Sequence, residues 1–156
     1  MVWKSEVEIT MEDVEFEIRK IFKNFKFMSI VQPVDNNTPI IVGIKEGGVF
    51  FAKRIAEKYH LPCYFISCKF YDGKKLRENV DITEIPLKLF EEEKPVVLVD
   101  DVYDTGTTTK VLKKLFPNSK VVVLYKKTIQ DEVDVFGDIL ARDVWAKFPW
   151  EKVKVE

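Results

Sequence analysis

The residues best able to do chemistry form one run: Val99-Asp100-Asp101-Val102-Tyr103-Asp104-Thr105-Gly106-Thr107-Thr108-Thr109. Two adjacent acids repel each other unless they share a cation or accept hydrogen bonds from sugar hydroxyls. Glycine and threonines at the start of a helix let backbone N–H groups converge on an anion. The hydroxyls add donors, and the helix dipole favours the negative charge. A phosphorylated sugar held with magnesium satisfies both halves of the run. A single carboxylate would fit a solvated loop capping a helix; three of them beside a Thr-Gly-Thr-Thr-Thr turn read as a binding site.

Spacing separates this run from other phosphate-handling loops. A Walker A loop needs a lysine directly after its second glycine, and there is none here. Aspartyl phosphatases place two aspartates two apart, whereas Asp101 and Asp104 are three apart. A receiver domain carries its acidic pair after the first strand, with a phosphoacceptor aspartate later. Here the pair comes near residue 100.

Such a turn needs a strand to deliver it and a helix to receive it. The apolar run Pro95 to Val99 predicts a buried strand, Asp100 to Gly106 a loop and Thr107 to Phe116 a helix. Upstream, Thr10 caps a helix from Met11 to about Phe25, with Asp13 three residues on and an apolar stripe of Val14, Ile18, Ile21, Phe22 and Phe25. Gln32 to Pro39 reads as a loop, Ile40 to Ile44 as a strand, Gly47-Gly48 as a turn and Val49 to Tyr59 as a helix. Pro62 to Cys68 is the next strand. The polar stretch Tyr71 to Glu93 is either a lid or carries structure of its own. Lys120 to Tyr125 and a short Asp138 to Arg142 complete the strands, and the aromatic tail from Asp143 reads as a cap over the sheet edge. Strands alternating with helices imply an α/β fold: one domain over residues 1–156, with a parallel sheet of about five strands flanked by helices.

Composition narrows the partners. Lys+Arg at 25 against Asp+Glu at 26 gives a net charge of -1, so no global field recruits nucleic acid or an anionic membrane. The apolar runs are far shorter than the roughly 20 residues of a spanning helix. The first ten residues show no secretory pattern, so a cytoplasmic location is expected. His60 is the sole histidine, which argues against a histidine metal cluster or a Ser-His-Asp triad. Cys63 and Cys68, five apart in one strand, point to opposite faces and read as buried thiols, not a disulfide.

The segment Val97 to Thr109 resembles the phosphoribosyl pyrophosphate signature of type I phosphoribosyltransferases. Gly43 to Gly48, Lys69-Phe70-Tyr71-Asp72-Gly73, Lys126-Lys127, and Asp143-Val144-Trp145 through Pro149-Trp150 resemble the purine branch, most closely bacterial xanthine-guanine and archaeal purine enzymes. The resemblance implies the type I fold with a small C-terminal hood, formed mainly by residues 126–156 with the N-terminal segment. It implies magnesium-dependent transfer of phosphoribosyl to guanine, xanthine or hypoxanthine by a homodimer or homotetramer.

By that resemblance Asp100 and Asp101 hold the ribose hydroxyls and magnesium, and Asp104 with Thr105, Gly106, Thr107, Thr108 and Thr109 cradles the 5-phosphate. Asp104 also takes the proton of the attacking ring nitrogen, Lys45, Gly47 and Gly48 handle diphosphate, and Tyr71, Lys74, Lys75 and Arg77 are lid candidates. Lys127 donates to the 6-oxo group, Trp145 stacks on the purine and backbone near Ala146 reads position two. Plainer readings stand beside these: a solvated basic loop for the lid, a surface lysine for Lys127, a core aromatic for Trp145. Lys126 is the less favoured donor, and Trp150 is assigned to packing.

Two departures stand out. Glu46 occupies the position before the paired glycines where similar enzymes carry Arg or Lys, and Phe70 replaces the serine of the Ser-Tyr pair in hypoxanthine-guanine enzymes. A glutamate beside diphosphate is repulsive. It keeps open an alternative, a non-catalytic sensor of phosphoribosyl pyrophosphate or nucleotide. A transferase with another acceptor, such as a pyrimidine, is the second alternative.

Overall fold

The computed structural model describes residues 4–70, 80–127 and 132–151. In chain order the elements are β1 (Ser5–Glu8), α1 (Met11–Phe22), α2 (Phe25–Val31), β2 (Ile40–Lys45), α3 (Val49–Tyr59), β3 (Cys63–Phe70) and β4 (Val80–Glu84). They continue with α4 (Lys88–Glu91), β5 (Val96–Tyr103), α5 (Thr107–Leu115), β6 (Lys120–Lys127), β7 (Val135–Leu140) and β8 (Val144–Lys147). Six strands form one sheet in the order β4-β3-β2-β5-β6-β7. All neighbours are parallel except the edge pair β3 and β4. The expected parallel sheet of about five strands is thus present, with one antiparallel strand added at its edge. A second, two-stranded sheet pairs β1 in parallel with β8 from Ser5↔Val144 to Glu8↔Lys147.

Strands buried on both faces read as unbroken apolar runs. β2, β5 and β6 show why. Ile41, Val97, Val99, Val122 and Leu124 pack with Val14, Ile18, Phe51 and Ile55 of α1 and α3 on one face. Ile40, Val42, Leu98, Val121 and Val123 pack with Leu89 of α4 and Leu112 of α5 on the other. The chain leaves β2 through α3 toward β3, but leaves β5 through α5 toward β6. The adjacent carboxyl ends of β2 and β5 therefore sit at the point where the winding reverses, where an α/β sheet opens a crevice.

Four boundaries differ from expectation. The Thr10 box forms as predicted: its Oγ1 accepts from the Asp13 N–H at 3.0 Å, and Asp13 Oδ2 accepts from the Thr10 N–H at 2.9 Å. The helix nevertheless stops at Phe22, because Asn24 caps a new one by accepting from the Phe27 N–H at 3.0 Å. Phe25, expected in the apolar stripe, is 86% exposed. β5 runs on through Tyr103, so Asp100 and Asp101 belong to the strand end and only Asp104 to Gly106 form the loop. Within Tyr71 to Glu93, β4 and α4 are structure hidden from the pattern. The last strand of the large sheet spans Val135–Leu140 instead of Asp138 to Arg142, paired along β6.

Cys63 and Cys68 are free, and both are half-buried where full burial was expected. Desolvation pushes each thiol up from an ordinary 9.0 to about 11; Lys53 opposes the shift at Cys63, and Asp100 adds to it at Cys68. Because the thiolate is the nucleophile, alkylation at pH 7.5 is expected to run roughly 100-fold slower than for free cysteine, accelerating steeply as pH approaches 11. Iodoacetamide labelling followed by intact mass checks this; rapid labelling of the folded protein at neutral pH contradicts it.

Candidate active site

Asp100 and Asp101 end a strand whose preceding residues are wholly buried. Backbone donors fix them: the Asp101 N–H donates to Asp100 Oδ1 at 2.8 Å, and the Val102 N–H donates to Asp101 Oδ1 at 2.7 Å. Burial raises the pKa of Asp100 well above the carboxylate range, and the neighbouring Asp101 charge adds to it. Asp101 is also raised by burial, against hydrogen bonds from Asp100, Val102 and Trp150 that favour its charge. Among the described residues no lysine or arginine forms a salt bridge with either acid. Two hard carboxylates without a cationic partner suit magnesium, which is held by one or two acids while substrate oxygens and water complete its shell.

The loop after the pair turns on Gly106, whose φ of 78° is left-handed. A Cβ there would lie 2.2 Å from the Tyr103 hydroxyl, which donates to Glu132 Oε2 at 2.9 Å. Only glycine makes this turn without moving Tyr103. No side chain caps α5 at Gly106, and the first amides of a helix have no partner within it. Thr105 and Thr107 share a hydroxyl hydrogen bond of 2.8 Å. Thr105 is exposed, Thr107 and Thr108 are half-buried, and Thr109 is buried. Thr109 therefore contributes packing and, at most, its backbone to the turn.

Beside the acids lies a cavity of about 180 Å³ lined by Asp101, Val102, Asp104, Lys127, Val144, Trp145, Ala146, Phe148 and Glu151. It joins the carboxyl end of β5 to that of β6 and to β8. Lys127 is buried, and its ammonium donates to the carbonyls of Val144 and, at 3.2 Å, Ala141. Burial lowers its pKa, while Asp104 and Asp143 pull it back up. Lys126 instead sits 4.2 Å above the Phe136 ring, away from this cavity. Trp145 is 41% exposed at the cavity wall and Ala146 is buried. A larger cleft of about 660 Å³, at the opposite end of β5 and β6, contains none of these acids.

The loop after β2 closes the third side. A Cβ on Gly47 would fall 2.2 Å from Asp101 Oδ2, and one on Gly48 2.3 Å from the Val99 carbonyl, so the pair lets this loop touch β5. The Gly48 N–H is spent on the Ile44 carbonyl at 2.8 Å, leaving the Gly47 amide as the one of the two for an anion. Lys45 pairs with Glu84 Oε1 of β4 at 2.6 Å. Glu46, joined to Lys45 by a cis peptide, lines a separate cleft with Met11, Phe50, Lys53 and Trp150. It thus turns aside from the acids, weakening the one feature that favoured a sensor. Tyr71, Lys74, Lys75 and Arg77 lie outside the described residues.

Sequence reasoning missed two contributors. Glu151 lines the cavity, its pKa raised chiefly by burial and also by the charge of Asp101. Trp150 stacks on Phe148 as a packing residue should, but its indole N–H also donates to Asp101 Oδ2 at 3.3 Å. Neither had a local signal: both follow a proline break, and only the return of that tail over β5 brings them in.

Residues 10–151 match the phosphoribosyl transferase domain. The xanthine-guanine phosphoribosyltransferase of Idiomarina loihiensis is 30% identical over 115 residues, covering 71% of this chain and 70% of its own. That of Desulfotalea psychrophila is 32% identical over 114 residues, covering 71% and 69%. The crystal structure of a purine phosphoribosyltransferase from Pyrococcus horikoshii superposes with a TM-score of 0.74 at 26% identity, covering 97% of both chains. The chain belongs to the phosphoribosyl transferase family. Within it, this is a pentosyl-transferring enzyme of the purine branch of the type I group.

The contact of Gly47 with Asp101 is testable. Gly47→Ala forces the carboxylate to move, and displacements near 1 Å are worth up to about 100-fold in such sites. Magnesium-dependent binding of phosphoribosyl pyrophosphate is expected to weaken at least about tenfold, with thermal stability nearly unchanged. Wild-type affinity in a folded Gly47→Ala variant would remove the loop from the site.

Proposed function

We propose that the chain transfers the 5-phosphoribosyl group from phosphoribosyl pyrophosphate to a 6-oxopurine, releasing pyrophosphate. The observation that carries this is one cavity shared by Asp101 and Asp104 at the end of β5, Lys127 at the end of β6 and an aromatic wall of Trp145 and Phe148. An acid end beside a flat apolar slot suits a sugar joined to a heterocycle. The relatives named xanthine-guanine phosphoribosyltransferase support the same acceptor class.

In this reading the turn from Asp104 to Thr109 holds the 5-phosphate through helix-start amides and hydroxyls. Asp100 and Asp101 hold the ribose hydroxyls and would bind magnesium, which neutralises the departing diphosphate. The bond from the anomeric carbon to pyrophosphate breaks, the bond to the purine nitrogen forms, and Asp104 accepts the nitrogen's proton. Negative charge there also favours the cationic character that develops on the sugar.

Lys127 reads the acceptor. The Val144 and Ala141 carbonyls hold its ammonium at the cavity wall, and in this reading the ammonium donates to the 6-oxo group. Adenine places an amino group there, setting donor against donor in a buried site. Trp145 supplies the stacking wall, and backbone near Ala146 faces position two. Lys45 and Gly47 serve the diphosphate, Lys45 after releasing Glu84, and the lid candidates Tyr71, Lys74, Lys75 and Arg77 would exclude water. The setting we assign is a cytoplasmic homodimer or homotetramer, following the family resemblance; no helix among the described residues is long and apolar enough to cross a membrane.

Purified protein with magnesium and phosphoribosyl pyrophosphate, offered guanine, xanthine, hypoxanthine and adenine, is expected to turn over oxopurines and leave adenine untouched. Turnover of adenine alone, or of no purine, would sink the proposal. Asp104→Asn should lower kcat by about 10²-fold or more while phosphoribosyl pyrophosphate binds with near-normal affinity. An unchanged rate takes Asp104 out of the chemistry. Lys127→Gln should cut the oxopurine-to-adenine preference by roughly tenfold, read as a ratio of kcat/KM values.

A further inference from the structure

The Asp101 carboxylate is held by two different parts of the chain. Oδ1 accepts from the Val102 N–H of its own strand at 2.7 Å, and Oδ2 accepts from the Trp150 indole N–H at 3.3 Å. Gly47 presses against the same carboxylate, closing off the direction in which a larger residue would stand. Trp150 is itself clamped. Its ring stacks on Phe148 at 5.0 Å with an interplanar angle of 8°, and on Phe50 of α3 at 5.9 Å and 22°. Two rings therefore fix the plane of the indole, and the plane fixes where its N–H points.

The placement links two subsites. Phe148, the ring under Trp150, lines the cavity that also holds Lys127 and Trp145, and Asp101 lines the same cavity. Phe50 lies in the first turn of α3, directly after the Gly47-Gly48 loop. One indole thus joins the acid pair, the loop after β2 and the wall of the base cavity.

We propose that Trp150 is a positioning residue: its indole N–H holds Asp101 in the rotamer that binds the ribose and magnesium, so the C-terminal segment sets affinity for phosphoribosyl pyrophosphate. The inference rests on the phosphoribosyltransferase reading above. A bond to a charged acceptor in a half-buried site is worth about tenfold or more in affinity.

Trp150→Phe keeps a ring between Phe148 and Phe50 but removes the donor. Its dissociation constant for phosphoribosyl pyrophosphate with magnesium, measured by calorimetry, is expected to rise roughly tenfold. At saturating phosphoribosyl pyrophosphate kcat should stay within about threefold of wild type, since the bond acts on binding geometry and not on the proton transfer. In an Asp101→Asn background the same change should matter less than about twofold, because the acceptor it serves is already altered. If Trp150→Phe is unstable, a benzothienylalanine at position 150 replaces the N–H by sulfur at nearly constant shape and carries the same expectation. Unchanged affinity in either variant overturns the proposal. So does an equal loss in the Asp101→Asn background, which would make the effect one of packing. A wild-type protein that does not bind phosphoribosyl pyrophosphate overturns the functional reading itself, and the proposal with it.

Discussion

Two neighbouring carboxylates at the end of a buried strand are the constraint around which this molecule is arranged. Charges so placed are unfavourable in proportion to their desolvation, and each makes the other worse. Burial, then mutual repulsion, is what lifts Asp100, while Asp101 is partly relieved by its hydrogen bonds. The surrounding residues keep that tension in place. Gly47 gives Asp101 room on one side, Trp150 binds it on another, and backbone amides of β5 take one oxygen from each acid. The tension is the binding potential for a dication and a polyhydroxylated sugar.

The fold supplies the rest through the reversal of winding between β2 and β5. Because neighbouring strands there feed helices in opposite senses, two loops meet across one crevice: the paired glycines before α3 and the threonine turn before α5. The glycines are required by contact, not by chain reversal alone. β6 then brings Lys127 to the same end, and the small parallel pair of β1 and β8 brings back Trp145 and Ala146. A base slot and a sugar site arise from elements spread along the chain from Gly47 to Glu151.

Much of this was legible beforehand, for identifiable reasons. Continuous apolar runs such as Val96 to Val99 and Ile40 to Ile44 reveal strands buried on both faces, and Thr10 with Asp13 marks a helix start in three residues. The acid and threonine run was readable because its chemistry is local. What failed was non-local or set by small competitors. Asn24 stopped a helix whose apolar stripe pointed onward to Phe25, because one side-chain hydrogen bond started another. β4 and α4, of five and four residues, are too short to leave a pattern. The Lys45 pair with Glu84 and the reach of Trp150 to Asp101 each depend on partners distant in sequence.

The central claim is that the acid pair and the threonine turn form one seat for a phosphorylated sugar and a dication together. Thermal unfolding with magnesium alone, phosphoribosyl pyrophosphate alone, and both measures it most directly, since a ligand bound to the native state raises the midpoint by mass action. The account predicts a rise of several degrees only when both are present, and a clearly smaller rise in Asp100→Asn and in Asp101→Asn. An equal rise without magnesium, or one that neither substitution diminishes, would contradict it.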